Sequence, residues 1–190
     1  ITRSDIYGFV IPFFLELMKL MDEYNIPVKI RVCDTMGYGV NYPGAVIPRS
    51  IPGIIYGLRV HAGVPSELIE FHGHNDFYKA VSNSTTAWLY GCSGINTSLF
   101  GIGERTGNTP LEAMVFEYAQ LKGDLNGMDT TVITELAEYY ANIPITDKNI
   151  RSVVHLEDES DEYFWNTLLQ KYRSGNYFYV FSNCYGCLYL

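Results

Sequence analysis

Three times along this chain a short apolar run is followed by a loop rich in glycine and polar residues, and then by a segment with helical spacing. No other feature restricts the fold as tightly. Val28 to Cys33 (VKIRVC), Leu68 to Phe71 (LIEF) and Ser93 to Phe100 (SGINTSLF) read as strands. Ahead of the first strand, Phe13, Phe14, Leu17, Met18 and Met21 recur at three- and four-residue spacing, with Ser4 and Asp5 as cap residues. A second helix is predicted over Ile51 to His61. A third, capped by Asn75 or Asp76, runs to Tyr90. A fourth covers Leu111 to Leu121, with Pro110 in its first turn and Gly123 as its stop. Such alternation implies parallel strands joined by right-handed crossovers. The length of each unit suits a TIM barrel or a doubly wound sheet.

Composition narrows the classes of partner. The chain has 190 residues, 47% hydrophobic and 18% charged, which excludes disorder as its general state. A chain of this size needs no disulfide or metal merely to hold a core. Its net charge of −8 and the absence of any basic run argue against a nucleic-acid partner. Phe9 to Met21 is the most apolar early stretch, but it is short and carries Glu16 and Lys19, so no membrane span is expected. It also lacks the basic start and cleavage site of a signal peptide. Cys33 and Cys92 sit in apolar surroundings and read as reduced core thiols, consistent with a cytoplasmic setting. Cys184 and Cys187 form a C-x-x-C with no second pair to complete a zinc site, and core packing is the expected role. The chain begins at Ile1 rather than methionine, which reads as a fragment or a processed piece.

After Gly127 the pattern changes. Thr130 to Tyr140 is predicted helical, and residues 142–160 are mixed and acidic. The cluster Glu157, Asp158, Glu159, Asp161 and Glu162 reads as a solvated surface, and the aromatic end YFYVFSNCYGCLYL is expected to pack or pair. Residues 1–126 are therefore taken as one portion. Residues 127–190 are taken as an accessory or linker segment, helical and interface-forming.

In parallel α/β sheets the chemistry lies at the carboxyl ends of the strands, and each strand here ends in a polar segment. After the second comes FHGHND. His72 and His74 are two apart, so in an extended chain both imidazoles point the same way and can reach one metal ion. Asp76 could orient a histidine or cap the next helix. After the third comes GIGERTGN. Its glycines at 101, 103 and 107 miss the dinucleotide spacing, and the loop presents Glu104, Arg105 and Asn108. Arg105 reads equally well as a ligand contact or as an ion-pair partner. The first strand ends in CDTMGYG, where Thr35 could bond a carboxylate or Asp34 and Gly37 could simply form a turn.

Taken in order, DTMGYG, HGHND and GIGERTGN resemble the motifs of the DRE-TIM metallolyase superfamily. The likeness is to its Claisen-condensing branch, the 2-isopropylmalate, homocitrate and Re-type citrate synthases. It runs from about residue 10 to 125, and the longer run from HGHNDFYKAVSNS to GNTPLEAM is most similar to the Re-citrate synthase group. Phe77, Tyr78 and Lys79 stand where isopropylmalate synthases carry a small, glycine-containing stretch.

The resemblance implies an α/β fold that is the C-terminal part of a (β/α)8 TIM barrel, followed by a helical accessory segment. It implies an acyltransferase that condenses acetyl-CoA with a 2-oxo acid. Oxaloacetate is preferred, with 2-oxoglutarate and 2-oxoisovalerate as the alternatives. It also implies a divalent metal (Mg²⁺, Mn²⁺ or Zn²⁺) and a homodimer. By the same resemblance His72, His74 and Asn108 are the metal-site residues, Thr35 binds substrate and Glu104 is catalytic; Arg105, presented by the same loop, is taken as a second substrate-binding residue. The family's first strand, with its aspartate ligand, has no counterpart here. His155, in SVVHLED, matches the family's accessory histidine segment poorly and receives no role, and His61 reads as a surface helix position. The competing expectations are a carbon–carbon lyase of the same superfamily and a non-catalytic barrel fragment.

Overall fold

Three strands form the centre of the computed structural model, which describes residues 1–142 and 188–189. They are β1 (Ile30–Asp34), β2 (Ile69–Gly73) and β3 (Gly94–Thr97), parallel and adjacent in chain order. Val32, Phe71 and Ile95 share one cross-sheet row, and Cys33, His72 and Asn96 share the next. A fourth strand, β4 (Leu188–Tyr189), pairs antiparallel with β3 through Thr97↔Leu188 and Asn96↔Tyr189.

The alternation of side chains sorts the two faces of the sheet. Ile30, Val32, Ile69, Phe71 and Ile95 are buried on one face. Packed with them are Ile51, Ile54, Ile55 and Leu58 from α2 (Ile51–Tyr56) and its π-helical extension to His61. Ala87 comes from α3 (Ala80–Tyr90), Met114 from α4 (Leu111–Lys122), and Ile11 from α1 (Ile11–Tyr24). The opposite face is polar. Arg31 lies across from Glu70 in the register, and buried Glu70 accepts from Arg31 Nε at 3.2 Å and Asn96 Nδ2 at 2.7 Å. The helices thus supply one hydrophobic layer, and the other face carries the polar side chains.

The helix ends follow local rules. The first helical run opens in a π-helical turn, Ile6–Val10, and Asp5 Oδ1 accepts from Gly8 N at 2.9 Å. Helices α3 and α4 stop at Gly91 and Gly123, both left-handed. Two expectations are corrected. α3 begins at Ala80 rather than at 75 or 76, because Tyr78 takes φ 57; Asn75 Oδ1 still accepts from Ala80 N, at 3.2 Å. β3 ends at Thr97 rather than at residue 100, because Phe100 takes φ 55 and the chain turns through a 3₁₀ segment, Leu99–Gly101.

The helix predicted near residues 130–140 is α5 (Thr131–Ala141). Cys184, Cys187, His155 and the acidic cluster lie outside the described residues. Cys92 is buried and its thiol is pushed up to about 12 by burial, so it is inert packing. Cys33 departs from the expected core position: it is half-buried and lies on the polar face beside His72. No helix among the described residues is long and apolar enough to cross a membrane.

Candidate active site

The loops after β1, β2 and β3 meet at one end of the sheet. His72 sits in the last turn of the β2 pleat and His74 just beyond it. Their Nε2 atoms lie 3.3 Å apart, with the rings edge-on at 78°. The two-residue spacing therefore does converge both imidazoles, as the sequence predicts. Asn108 joins them from the third loop through a bridge to His74. Its Nδ2 donates to Gly73 O at 3.1 Å and lies 3.5 Å from His72 Nε2.

Both histidines are held neutral. Burial pushes His72 down to about 4, helped by the neighbouring His74 and Arg31 charges. Burial also lowers His74, with Arg105 adding to the effect and Glu104 and Asp76 opposing it. A neutral imidazole is what a metal requires of its ligand. Two neutral Nε2 atoms at 3.3 Å hold at most one hydrogen between them, so at least one lone pair faces its neighbour. The Nδ1 atoms of both rings are buried without a hydrogen-bond partner. The two imidazoles thus fit part of a divalent cation's ligand set, while Asn108 turns its amide nitrogen, a donor, toward His72. No group of three or more His, Cys, Asp or Glu that could hold a metal occurs among the described residues.

The shifts have a measurable consequence for stability. In the unfolded chain both histidines titrate near the ordinary value, whereas in the folded chain they protonate at lower pH. Between about pH 6.5 and 4 the unfolded state therefore binds more protons, and stability rises with pH across that window. Urea midpoints measured with EDTA present are expected to fall as pH drops from 7 to 4.5. The drop is expected to shrink when His72→Ala removes the larger contribution.

The first loop is a tight turn. Gly37 N donates to Asp34 O at 3.1 Å, and Gly37 has φ +64. A Cβ there would meet His74 O and Asp76 N at 3.1 Å, so glycine lets the first loop lie directly on the second. Asp34 is fully buried and accepts from Thr2 Oγ1 at 2.6 Å and Gly39 N at 2.9 Å. Its role is to hold this turn. Thr35, next along, is exposed at the rim.

Asp76 does not orient a histidine. It accepts from Arg105 Nε at 2.8 Å and Arg105 Nη2 at 3.2 Å. Burial raises its pKa, but the hydrogen bonds and charge of Arg105 outweigh this and leave the carboxyl below the usual range. Glu104 is largely exposed and pairs with Arg105 Nη1 at 3.1 Å. Sequence reasoning missed the supports behind these loops. Asn83, buried on α3, donates to Gly39 O at 2.9 Å, and Ser84 Oγ lies 2.8 Å from Thr109 Oγ1. The polar run Ser82–Thr86 inside an otherwise apolar helix was the available signal.

The sequence profile of the HMGL-like family matches residues 8–139, which takes in all three loops. The chain belongs to the HMGL-like family. Membership implies that the three parallel strands are a portion of a TIM barrel, and the family generally uses a divalent metal. Among curated HMGL-like relatives, a citrate (Re)-synthase from Clostridium kluyveri is 67% identical over 140 residues, 74% of this chain and 31% of the relative. A citrate (Re)-synthase from Syntrophus aciditrophicus is 58% identical over 142 residues, 75% of this chain and 23% of the relative. A 2-phosphinomethylmalate synthase from Streptomyces hygroscopicus is 38% identical over 146 residues, 75% of this chain and 32% of the relative. The chain therefore spans about a third or less of the length of these relatives.

Proposed function

We propose that this chain is the C-terminal portion of the (β/α)8 barrel of an acyltransferase that condenses acetyl-CoA with a 2-oxo acid. The preferred acid is oxaloacetate, giving citrate. The observation that carries the reading is the pair of neutral imidazoles converging at the strand ends, 3.3 Å apart, with Asn108 beside them. The identity of 67% and 58% to citrate (Re)-synthases favours oxaloacetate.

A divalent metal, when bound, polarises the carbonyl of the oxo acid. His72 and His74 are the residues that would hold it, with Asn108 alongside. Burial disfavours the imidazolium of both rings, so each is neutral and has one ring nitrogen free of hydrogen. Thr35 offers a hydroxyl at the rim to the substrate carboxylate. Glu104 is assigned to the proton that leaves the acetyl methyl as the new carbon–carbon bond forms. Water then cleaves the thioester, so acetyl-CoA, oxaloacetate and water give citrate and free CoA.

The test is thiol release from acetyl-CoA by the complete polypeptide that carries this chain. Oxaloacetate, 2-oxoglutarate and 2-oxoisovalerate are supplied in turn, with Mn²⁺ or with EDTA. Release with oxaloacetate that EDTA abolishes is the expected result. Release with a different acid would move the substrate assignment. Silence with all three would overturn the condensing reading in favour of a lyase or a non-catalytic role.

A further inference from the structure

Arg105 does something at this site that its place in the motif does not announce. Its backbone is left-handed, with φ 57, an uncommon state for a residue with a side chain. From there the guanidinium reaches three loops at once. Nε and Nη2 fork onto the two oxygens of Asp76, at 2.8 and 3.2 Å. Nη2 also donates to the Thr35 carbonyl at 2.5 Å, and Nη1 pairs with Glu104 at 3.1 Å. The loop after β1, the loop after β2 and the loop after β3 are thereby joined by one planar group.

Each anchor adjoins a group the reaction needs. The Thr35 peptide carries the hydroxyl assigned to the oxo acid. Asp76 is two residues past His74, and Glu104 is the neighbouring carboxylate. All three guanidinium nitrogens have protein acceptors within 3.2 Å, so the fork is committed to the protein rather than held out to a ligand. The Asp76 and Arg105 side chains are only 17% and 31% exposed, which spares the pair much of the screening that weakens surface bridges. Only arginine has this geometry: a lysine ammonium is a point charge and cannot grip a carboxylate in two places while holding a carbonyl on a third loop.

We propose that Arg105 is a positioning residue whose guanidinium locks the three carboxyl-end loops together, setting Thr35 and Glu104 relative to His74. The importance of those three groups rests on the reading under Proposed function; the lock itself does not.

The test compares Arg105→Ala, Arg105→Lys and Asp76→Asn in the complete polypeptide that carries this chain by hydrogen–deuterium exchange. With Arg105→Ala, exchange over residues 35–40 and 74–79 is expected to rise about tenfold or more, while amides of Val32, Phe71 and Ile95 keep wild-type rates. Arg105→Lys and Asp76→Asn should reproduce this. Wild-type protection with Arg105→Lys would mean that charge alone suffices, and faster exchange confined to residues 101–108 would mean that the loops are not joined; either result overturns the proposal. In the complete enzyme, Arg105→Lys is expected to lower kcat by about tenfold or more while KM for the oxo acid stays within about threefold. A rise in KM with kcat intact would mark a substrate contact and overturn the positioning role. If the wild-type enzyme shows no condensation, the proposed function fails while the exchange comparison still decides the lock.

Discussion

Replacing His72 with alanine is expected to reduce metal-dependent condensation by at least about a hundredfold while leaving the fold intact. Loss of a residue that merely orients a metal ligand costs about 10- to 100-fold, so loss of the ligand that His72 is proposed to be should reach or exceed the top of that range. The fold survives for a local reason. The imidazole is half-buried and its Nδ1 has no partner, so truncation takes away only the Nε2 contacts to His74 and Asn108, and Asn108 Nδ2 keeps its bond to Gly73 O. It also removes a ring whose charged form burial disfavours. The complete polypeptide would be assayed with and without added Mn²⁺, and its urea midpoint would be measured beside the assay. Wild-type turnover in the variant would remove His72 from the metal set. Lost turnover with a large fall in the midpoint would mean that the variant reports on folding instead.

One residue earlier the consequence reverses. Phe71→Ala is expected to cost about 3–5 kcal/mol of stability. Phe71 is fully buried, lies between Val32 and Ile95 in the cross-sheet row, and is among the largest side chains of the core. Its ring also reaches under Gly73, where a Cβ would come within 3.0 Å of Phe71 Cε1. Small domains hold about 5–15 kcal/mol in total, so this change consumes a large share of it. Urea titration gives the difference directly, and Phe71→Leu, which leaves a smaller void, should lose less. A loss below about 1 kcal/mol would show that the helical layer collapses into the gap. The two adjacent substitutions thus separate the faces of one strand: the pleat turns Phe71 to the core and His72 to the polar side.

That separation is the part of the molecule most legible in the sequence. Strand identity, parallel order and the convergence of His72 with His74 follow from local periodicity, because side chains two apart on a strand share a face. The end of β3 does not. SLF reads as a continuing strand, yet Ser98 bonds to Thr109 and Leu111 across the third loop, and Phe100 turns left-handed. The late start of α3 has the same origin in Tyr78. The partners of Arg105 were least accessible. Its contacts reach back 29 and 70 residues, and whether an arginine meets a ligand or a carboxylate is settled by loops that local pattern does not position.

The buried Glu70–Asn96 pair on the polar face carries a consequence for assembly. A parallel sheet usually needs cover on both sides, and most would present valine and isoleucine to whatever packs there. Here the second side offers Arg31, Glu70 and Asn96 in hydrogen-bonded register. Glu70 already accepts from Arg31 and Asn96, so the polar demand this side makes of whatever packs there is a donor for the buried Asn96 Oδ1.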